Sequence, residues 1–252
     1  HVITGACAST SGSKDSVIFS EIMDQTLENF RQNKMHIEEV LADAGYSSGE
    51  ALKYCKEQCI NAYIPNFGQY KPEREGFFYN RSENRYECQK TGGNHALLLF
   101  KGTKTDSKGY SKNIYRSSER DCKDCPLRAK CCGKVTKFKK LDDSIHKPLY
   151  DAMHEKLNRD TNYTRMLTKR RSSTVEPVLG TLINHHNMKR INSRGMAQAN
   201  KHVLMAALTY NLKKYLKFIS RKIQRNARIM NLPKGMFWFW QNRLHPASIT
   251  SV

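Results

Sequence analysis

No run in these 252 residues approaches the ~18 consecutive apolar side chains that a membrane-crossing helix needs. The longest apolar cluster is Met236-Phe237-Trp238-Phe239-Trp240, so no membrane partner is expected. No charged-then-apolar leader follows His1, and no export signal is read. Internal repeats and low-complexity segments are missing as well. Acid is scarce where base gathers: the last 92 residues carry 17 Lys and Arg and one carboxylate, Glu176. The eight cysteines are spread unevenly, which does not suit a secreted disulfide framework in a chain of this length. Four of them fall at Cys122, Cys125, Cys131 and Cys132, which points instead to metal and a reducing compartment.

What is present describes a folded polyanion binder. Hydrophobic content of 38% and charged content of 26% exclude a wholly disordered chain, and the length suits one or two domains. Net charge is +20, and it is graded: −4 over residues 1–64, +8 over 65–160 and +16 over 161–252. A basic final third beside a mildly acidic start favours nucleic acid as the partner. No long basic amphipathic helix with a Trp/Phe face offers a membrane anchor.

The pattern along the chain suggests α/β units. Val2–Ala8 reads as a strand, ended by the turn-forming run Ser9-Thr10-Ser11-Gly12-Ser13. Val17, Ile18, Ile22, Met23, Leu27 and Phe30 keep helical spacing from Ser16 to about Gln32. Residues 36–43 read as a buried strand ending in Asp43. Ser47 with Glu50 forms a capping box for a helix to about Glu57, and Ile60–Ile64 is a third strand. Residues 66–145 break the rhythm as a basic, Gly- and Asn-rich insertion. Its short aromatic pieces (Phe77, Phe78, Tyr79, Tyr110, Tyr115) are expected to form a small β-rich core rather than to stack on bases. Thr174 is expected to cap a helix beginning near Val175, with Pro177 in its first turn. A last helix spans about Ala197–Asn226, and its expected buried stripe is Val203, Leu204, Ala207, Leu208, Leu212, Tyr215, Leu216 and Ile219. The expected divisions are 1–65, 66–145, 146–226 and a tail at 227–252.

Two acids stand out. Asp43 closes a buried strand before a small-residue turn, where open α/β sheets place ligand chemistry. An aspartate there also caps turns in the ordinary way. Glu176 is the one acid in a cationic field, suited either to a metal ion among phosphates or to a helix N-terminus. Together they suggest phosphodiester chemistry with two Mg²⁺ ions ~3.5–4 Å apart, held by hard carboxylate oxygens. A third acid is then needed, and Asp15 is a candidate, in a loop before a helix.

Cys122-Lys-Asp-Cys125 with Cys131 suits a structural Zn²⁺ site, because thiolates at Cys-x₂-Cys spacing bite one tetrahedral ion. Cys88 is the first choice for the fourth ligand, with Cys132, His95 and His146 as rivals. About 80 mostly polar residues bury little apolar surface, and a metal would supply the missing folding energy. Cys7, Cys55 and Cys59 are expected to pack, and His185-His186 to be surface.

Leu41-Ala42-Asp43-Ala44-Gly45-Tyr46-Ser47 resembles the segment around the second catalytic aspartate of bacterial insertion-sequence transposases of the DDE class. Arg171-Ser-Ser-Thr-Val-Glu176-Pro-Val-Leu-Gly180 is similar to the segment around their glutamate. Arg194-Gly195 and Tyr210-Asn211-Leu212-Lys213-Lys214 match downstream, and a cysteine-bearing insertion between the acids belongs to one branch of the class. The resemblance runs over most of residues 1–220.

It implies a ribonuclease-H-like core of the retroviral-integrase superfamily; joined to the cysteine reading above, the expected fold is an α/β core interrupted by a small zinc-binding β-rich insertion. The implied activity is that of a DDE transposase: endonucleolytic cleavage of double-stranded DNA at transposon ends and strand transfer to target DNA. Asp43 and Glu176 would hold two Mg²⁺ (or Mn²⁺) ions as the second and third acids. The first aspartate is expected upstream of His1, which makes this chain an N-terminally truncated and by itself inactive fragment. Many relatives carry a Lys seven residues after the glutamate; here that residue is Ile183, and Lys189 or Arg190 would supply the charge. Arg171 and Arg194 are the expected phosphate contacts. A homodimer on DNA and a bacterial, cytoplasmic, nucleoid-associated setting are also implied. The competing expectation is a non-catalytic, zinc-containing nucleic-acid-binding protein on a degenerate nuclease fold.

Overall fold

The computed structural model describes residues 1–230 apart from Ser11, Gln69, Lys108, Gly133 and Lys134, with side chains given up to residue 225. The aromatic run at 236–240 and nearly all of the 227–252 tail lie outside the described residues. The chain forms two units, one of residues 9–173 and one of residues 1–8 with 174–252. No helix among the described residues is long and apolar enough to cross a membrane.

The larger unit is mixed α/β. Helix α1 (Asp15–Gln32) turns Phe19 and Met23 into a core. Strand β1 (Glu39–Leu41) pairs in parallel with β2 (Asn61–Tyr63), and α2 (Gly49–Glu57) connects them. Ala51, Leu52, Cys55, Ile60, Ala62, Ile64 and, from α5 (Lys147–Arg159), Met153 complete this core. The helical spacing within 16–32 and the strands around 39–41 and 61–63 are as the sequence suggests. The expected capping box does not form: Ser48, not Ser47, is the N-cap, its Oγ accepting from Ala51 N at 3.0 Å, and the N3 residue is alanine. Ser47 Oγ is buried without a hydrogen-bond partner.

Strands β3 (Phe77–Asn80), β4 (Arg85–Cys88), β5 (Leu97–Thr105), β6 (Ser111–Ser117) and β7 (Lys140–Ser144) form an antiparallel meander in sequence order. The β5–β6 ladder slips between Phe100 and Gly102, whose φ of +134° only glycine adopts readily. Phe77, Tyr86, Leu98 and Tyr115 form this sheet's buried cluster, with ring centroids 5.1 Å apart for Tyr86 and Tyr115. Tyr86 donates its hydroxyl to buried Asp143, which also pairs with Arg74 at 2.6 Å. The aromatics Phe77 and Tyr115 are core, as the pattern suggests; Phe78 and Tyr110 are exposed. Two short helices, α3 (Glu119–Lys123) and α4 (Arg128–Cys131), link β6 to β7.

Helix α6 spans Thr161–His185 without interruption, and the division between the units falls inside it. Thr174 therefore lies within the helix rather than at its N-cap, and Pro177 sits in a helix interior. Proline lacks the N–H that would meet the carbonyl of Ser173, a loss the helix tolerates here.

In the smaller unit, residues 2–8 do not form a strand. They run instead along α7 (Met196–Met230), held by asparagine side chains. Asn211 exchanges two bonds with the Ile3 backbone at 2.9 and 2.7 Å, and Asn200 Oδ1 accepts from Ala8 N at 2.8 Å. The spacing explains the fit: eleven helical residues rise about 16 Å, and five extended residues cover about the same length. The buried face of α7 is Ala206, Ala207 and Tyr210. Leu204, Leu208, Leu212, Tyr215 and Leu216, expected in the buried stripe, are exposed. His186, expected at the surface, is half-buried, with Nε2 lacking a partner.

Candidate active site

Asp43 follows β1 and caps a single 3-10 turn, Ala44–Tyr46, its Oδ1 accepting from Gly45 N at 2.9 Å. The small residues after it allow this turn to close tightly. A Cβ on Gly45 would lie 3.0 Å from Asp43 Oδ1 and 3.2 Å from Asp15 Oδ2, so both carboxylates crowd against this glycine. Asp15 is the first residue of α1 rather than part of a preceding loop. The Asp43 side chain is 49% exposed, and its Oδ2 lies 3.9 Å from Arg171 Nη1.

Asp43 and Arg171 line one open cavity of about 220 Å³, with Tyr63 and Pro65 from the end of β2 and Leu157 from α5. Thr164, Leu167, Thr168 and Arg171 present one face of α6 to it. The threonines escape notice in the sequence; the only signal for them is their 4- and 3-residue spacing ahead of Arg171. Thr164 Oγ1 is tied to Leu157 O at 2.9 Å and Thr168 Oγ1 to Thr164 O at 3.0 Å. This wall is consequently fixed, with Thr164 bonded across to α5 and Thr168 bonded within α6.

Glu176 lies on α6 five residues beyond Arg171, exposed, and belongs to the smaller unit. Lys189, Arg190 and Arg194 are exposed in the connection between α6 and α7 of that unit. Within the larger unit, then, Asp43 and Arg171 come together, while the other four expected site residues stand in the smaller one.

Cys88, Cys122, Cys125, Cys131 and Cys132 all line a single cavity of about 20 Å³. His146 is elsewhere, its Nε2 2.9 Å from Glu50 Oε1 and its ring against Gly49, so it drops out as a partner of the thiols. His95 Nδ1 meets Cys88 O at 3.1 Å, and its side chain does not line the cavity. Burial first, then the neighbouring Cys131 and Cys122, push the Cys132 thiol up to about 11. Cys55, packed in the α/β core as expected, is pushed up to about 11 by burial. Among the described residues no three His, Cys, Asp or Glu side chains stand close enough together to hold a metal ion.

No curated protein and no solved structure matches the chain. Residues 92–216, from the loop before β5 into α7, match the family model of the transposase DDE domain, and by that match the chain belongs to the DDE-type transposases.

Proposed function

We propose that this protein catalyses metal-dependent cleavage of double-stranded DNA at transposon ends and transfer of the freed strand to target DNA. Asp43 and Glu176 are the metal-binding carboxylates of this reading. Arg171, Lys189, Arg190 and Arg194 hold backbone phosphates as charge-assisted donors. The observation that carries it is the family match over residues 92–216, which takes in Glu176 and all four of these cations. The β1–β2 layer with its helices is then part of a ribonuclease-H-like core, and residues 66–145 an insertion into it. The protein acts as a homodimer on paired DNA ends.

The residues suit the metal in kind. Asp43 offers a half-exposed hard oxygen at the mouth of an open cavity, which is what Mg²⁺ or Mn²⁺ takes. When bound, such ions neutralise the scissile phosphate and activate the attacking oxygen. The chain's own part is to orient. The Gly45 N–H fixes one Asp43 oxygen, and Arg171, beside the other, is placed to take a phosphate from the same side.

The test is Mn²⁺- and Mg²⁺-dependent nicking of supercoiled plasmid by the purified natural protein, alongside salt-dependent DNA binding. Asp43→Asn and Glu176→Gln should each lower nicking by at least 100-fold, on the order expected when a catalytic group is removed, while DNA affinity stays within a few-fold. Undiminished nicking by either variant contradicts the reading.

One observation favours a second reading, a DNA-binding protein without turnover. The Arg171 guanidinium stands 3.9 Å from Asp43 Oδ2, so this carboxylate already has a cation beside it. Under that reading DNA binds with a steep salt dependence, no divalent ion promotes nicking, and Asp43→Asn changes nothing.

A further inference from the structure

Five of the eight thiols face one small cavity, drawn from four separate places: the end of β4, helix α3, the turn after it, and the end of α4. A volume of about 20 Å³ accommodates roughly one water-sized body. It suits a single ion and is too small for an iron–sulfur cluster. The wall behind the thiols is apolar (Phe77, Ala96, Leu98, Leu127), and three cations, Lys90, Arg128 and Lys139, outnumber the one acid, Asp121, that lines it with them. Lys139 Nζ donates to Cys131 O at 2.9 Å, and Lys90 and Lys139 reach over the Phe77 ring at 5.4 and 5.8 Å. Four thiolates around a divalent ion carry a net charge of −2, which these side chains complement.

The segment also needs such a centre. Helices of five and four residues do not hold themselves together in water, and between Ser118 and Cys132 only Cys122 is buried. The backbone frame is nevertheless pinned. Ser117 Oγ and Cys122 Sγ are 3.1 Å apart, Asn94 Nδ2 donates to Asp121 O at 3.1 Å, and His95 bonds the Cys88 carbonyl. The thiols are not yet at coordinating distance in threes. Binding an ion therefore requires these side chains to rotate into the cavity that they line.

We propose that Cys88, Cys122, Cys125 and Cys131 bind one structural Zn²⁺ ion that fastens the α3–α4 segment to the end of β4. Each thiol releases its proton to solvent on binding, and no oxidant takes part. Cys131 is preferred to Cys132 because it packs with Cys88 on the Phe77–Tyr86–Leu98–Tyr115 cluster, whereas Cys132 is the C-cap residue of α4. Cys132 is not a ligand in this proposal. This centre is independent of the DNA-cleavage reading and stands or falls without it.

The experiment is zinc content per chain by mass spectrometry on protein purified under reducing conditions, followed by Co²⁺ exchange. About one zinc per chain is expected, with a cobalt spectrum of tetrahedral four-thiolate type. Cys122→Ser and Cys125→Ser should lose the metal, while Cys59→Ser and Cys132→Ser keep it. In case the ligand variants fail to fold, chelator-stripped wild-type protein is titrated with Zn²⁺ against a chromophoric chelator. Uptake of one equivalent with recovery of near-UV circular dichroism supports the site. No zinc as purified together with no uptake on titration overturns it. Loss of zinc from Cys132→Ser with retention in Cys131→Ser overturns the ligand set.

Discussion

The β1–β2 layer buries nine residues in one cluster, nearly all aliphatic or sulfur-bearing, contributed by three helices and a strand with its flanks. The five-stranded sheet buries four, of which three are aromatic, and two of those are tyrosines whose hydroxyls are bonded to Asp143 and Asn84. The first region is held by apolar area removed from water. The second is held by rings and by polar partners that must all be present, since a buried donor or acceptor left unpaired is costly. That contrast follows from composition: the stretch at 66–145 has too few aliphatic residues for a conventional core, so it relies on tyrosines and, in our proposal, on zinc.

The largest effect expected to break this contrast is metal removal. Chelation under reducing conditions should abolish hydrogen-exchange protection over residues 97–117 while residues 51–64 retain theirs. Equal loss in both regions would mean that the two are not separately stabilised. Next comes Ile64→Ala in the α/β core. Ile64 is fully buried, and the truncation should cost about 2–5 kcal/mol in denaturant unfolding. A smaller effect, about 1–3 kcal/mol, is expected for Asp143→Asn, which weakens the bonds from Tyr86 and Arg74 without leaving a void. The smallest pair sharpens the helix assignment: Ser48→Ala should cost about 1 kcal/mol as a lost N-cap. Ser47→Ala should cost less, because its buried hydroxyl has no bond to lose.

Much of the fold was legible because period reveals it. The helical spacing from Val17 to Phe30 and the short strands around Val40 and Ala62 appear where the pattern puts them, and Phe77 and Tyr115 belong to a β-rich core as expected. The failures have physical causes. Lys140–Ser144, with three charges in five residues, carries no strand pattern, yet it is an edge strand whose one buried acid is satisfied from two sides. Val2–Ala8 has the composition of a strand, but its partners are the side chains of Asn200 and Asn211, and no backbone pattern signals that. Pro177 suggests a helix start, although α6 continues through it. At the candidate site Asp43 and Arg171, both singled out from the sequence, stand 3.9 Å apart; Thr164 and Thr168 have no sequence signal beyond their spacing, because they only line a wall.

The central proposal is that Asp43 and Glu176 are both carboxylate ligands of divalent ions. Mn²⁺ binding in the presence of duplex DNA, followed by electron paramagnetic resonance, tests it most directly. The account predicts that Asp43→Asn and Glu176→Gln each weaken Mn²⁺ binding at least tenfold. Wild-type Mn²⁺ affinity in both single variants would contradict it.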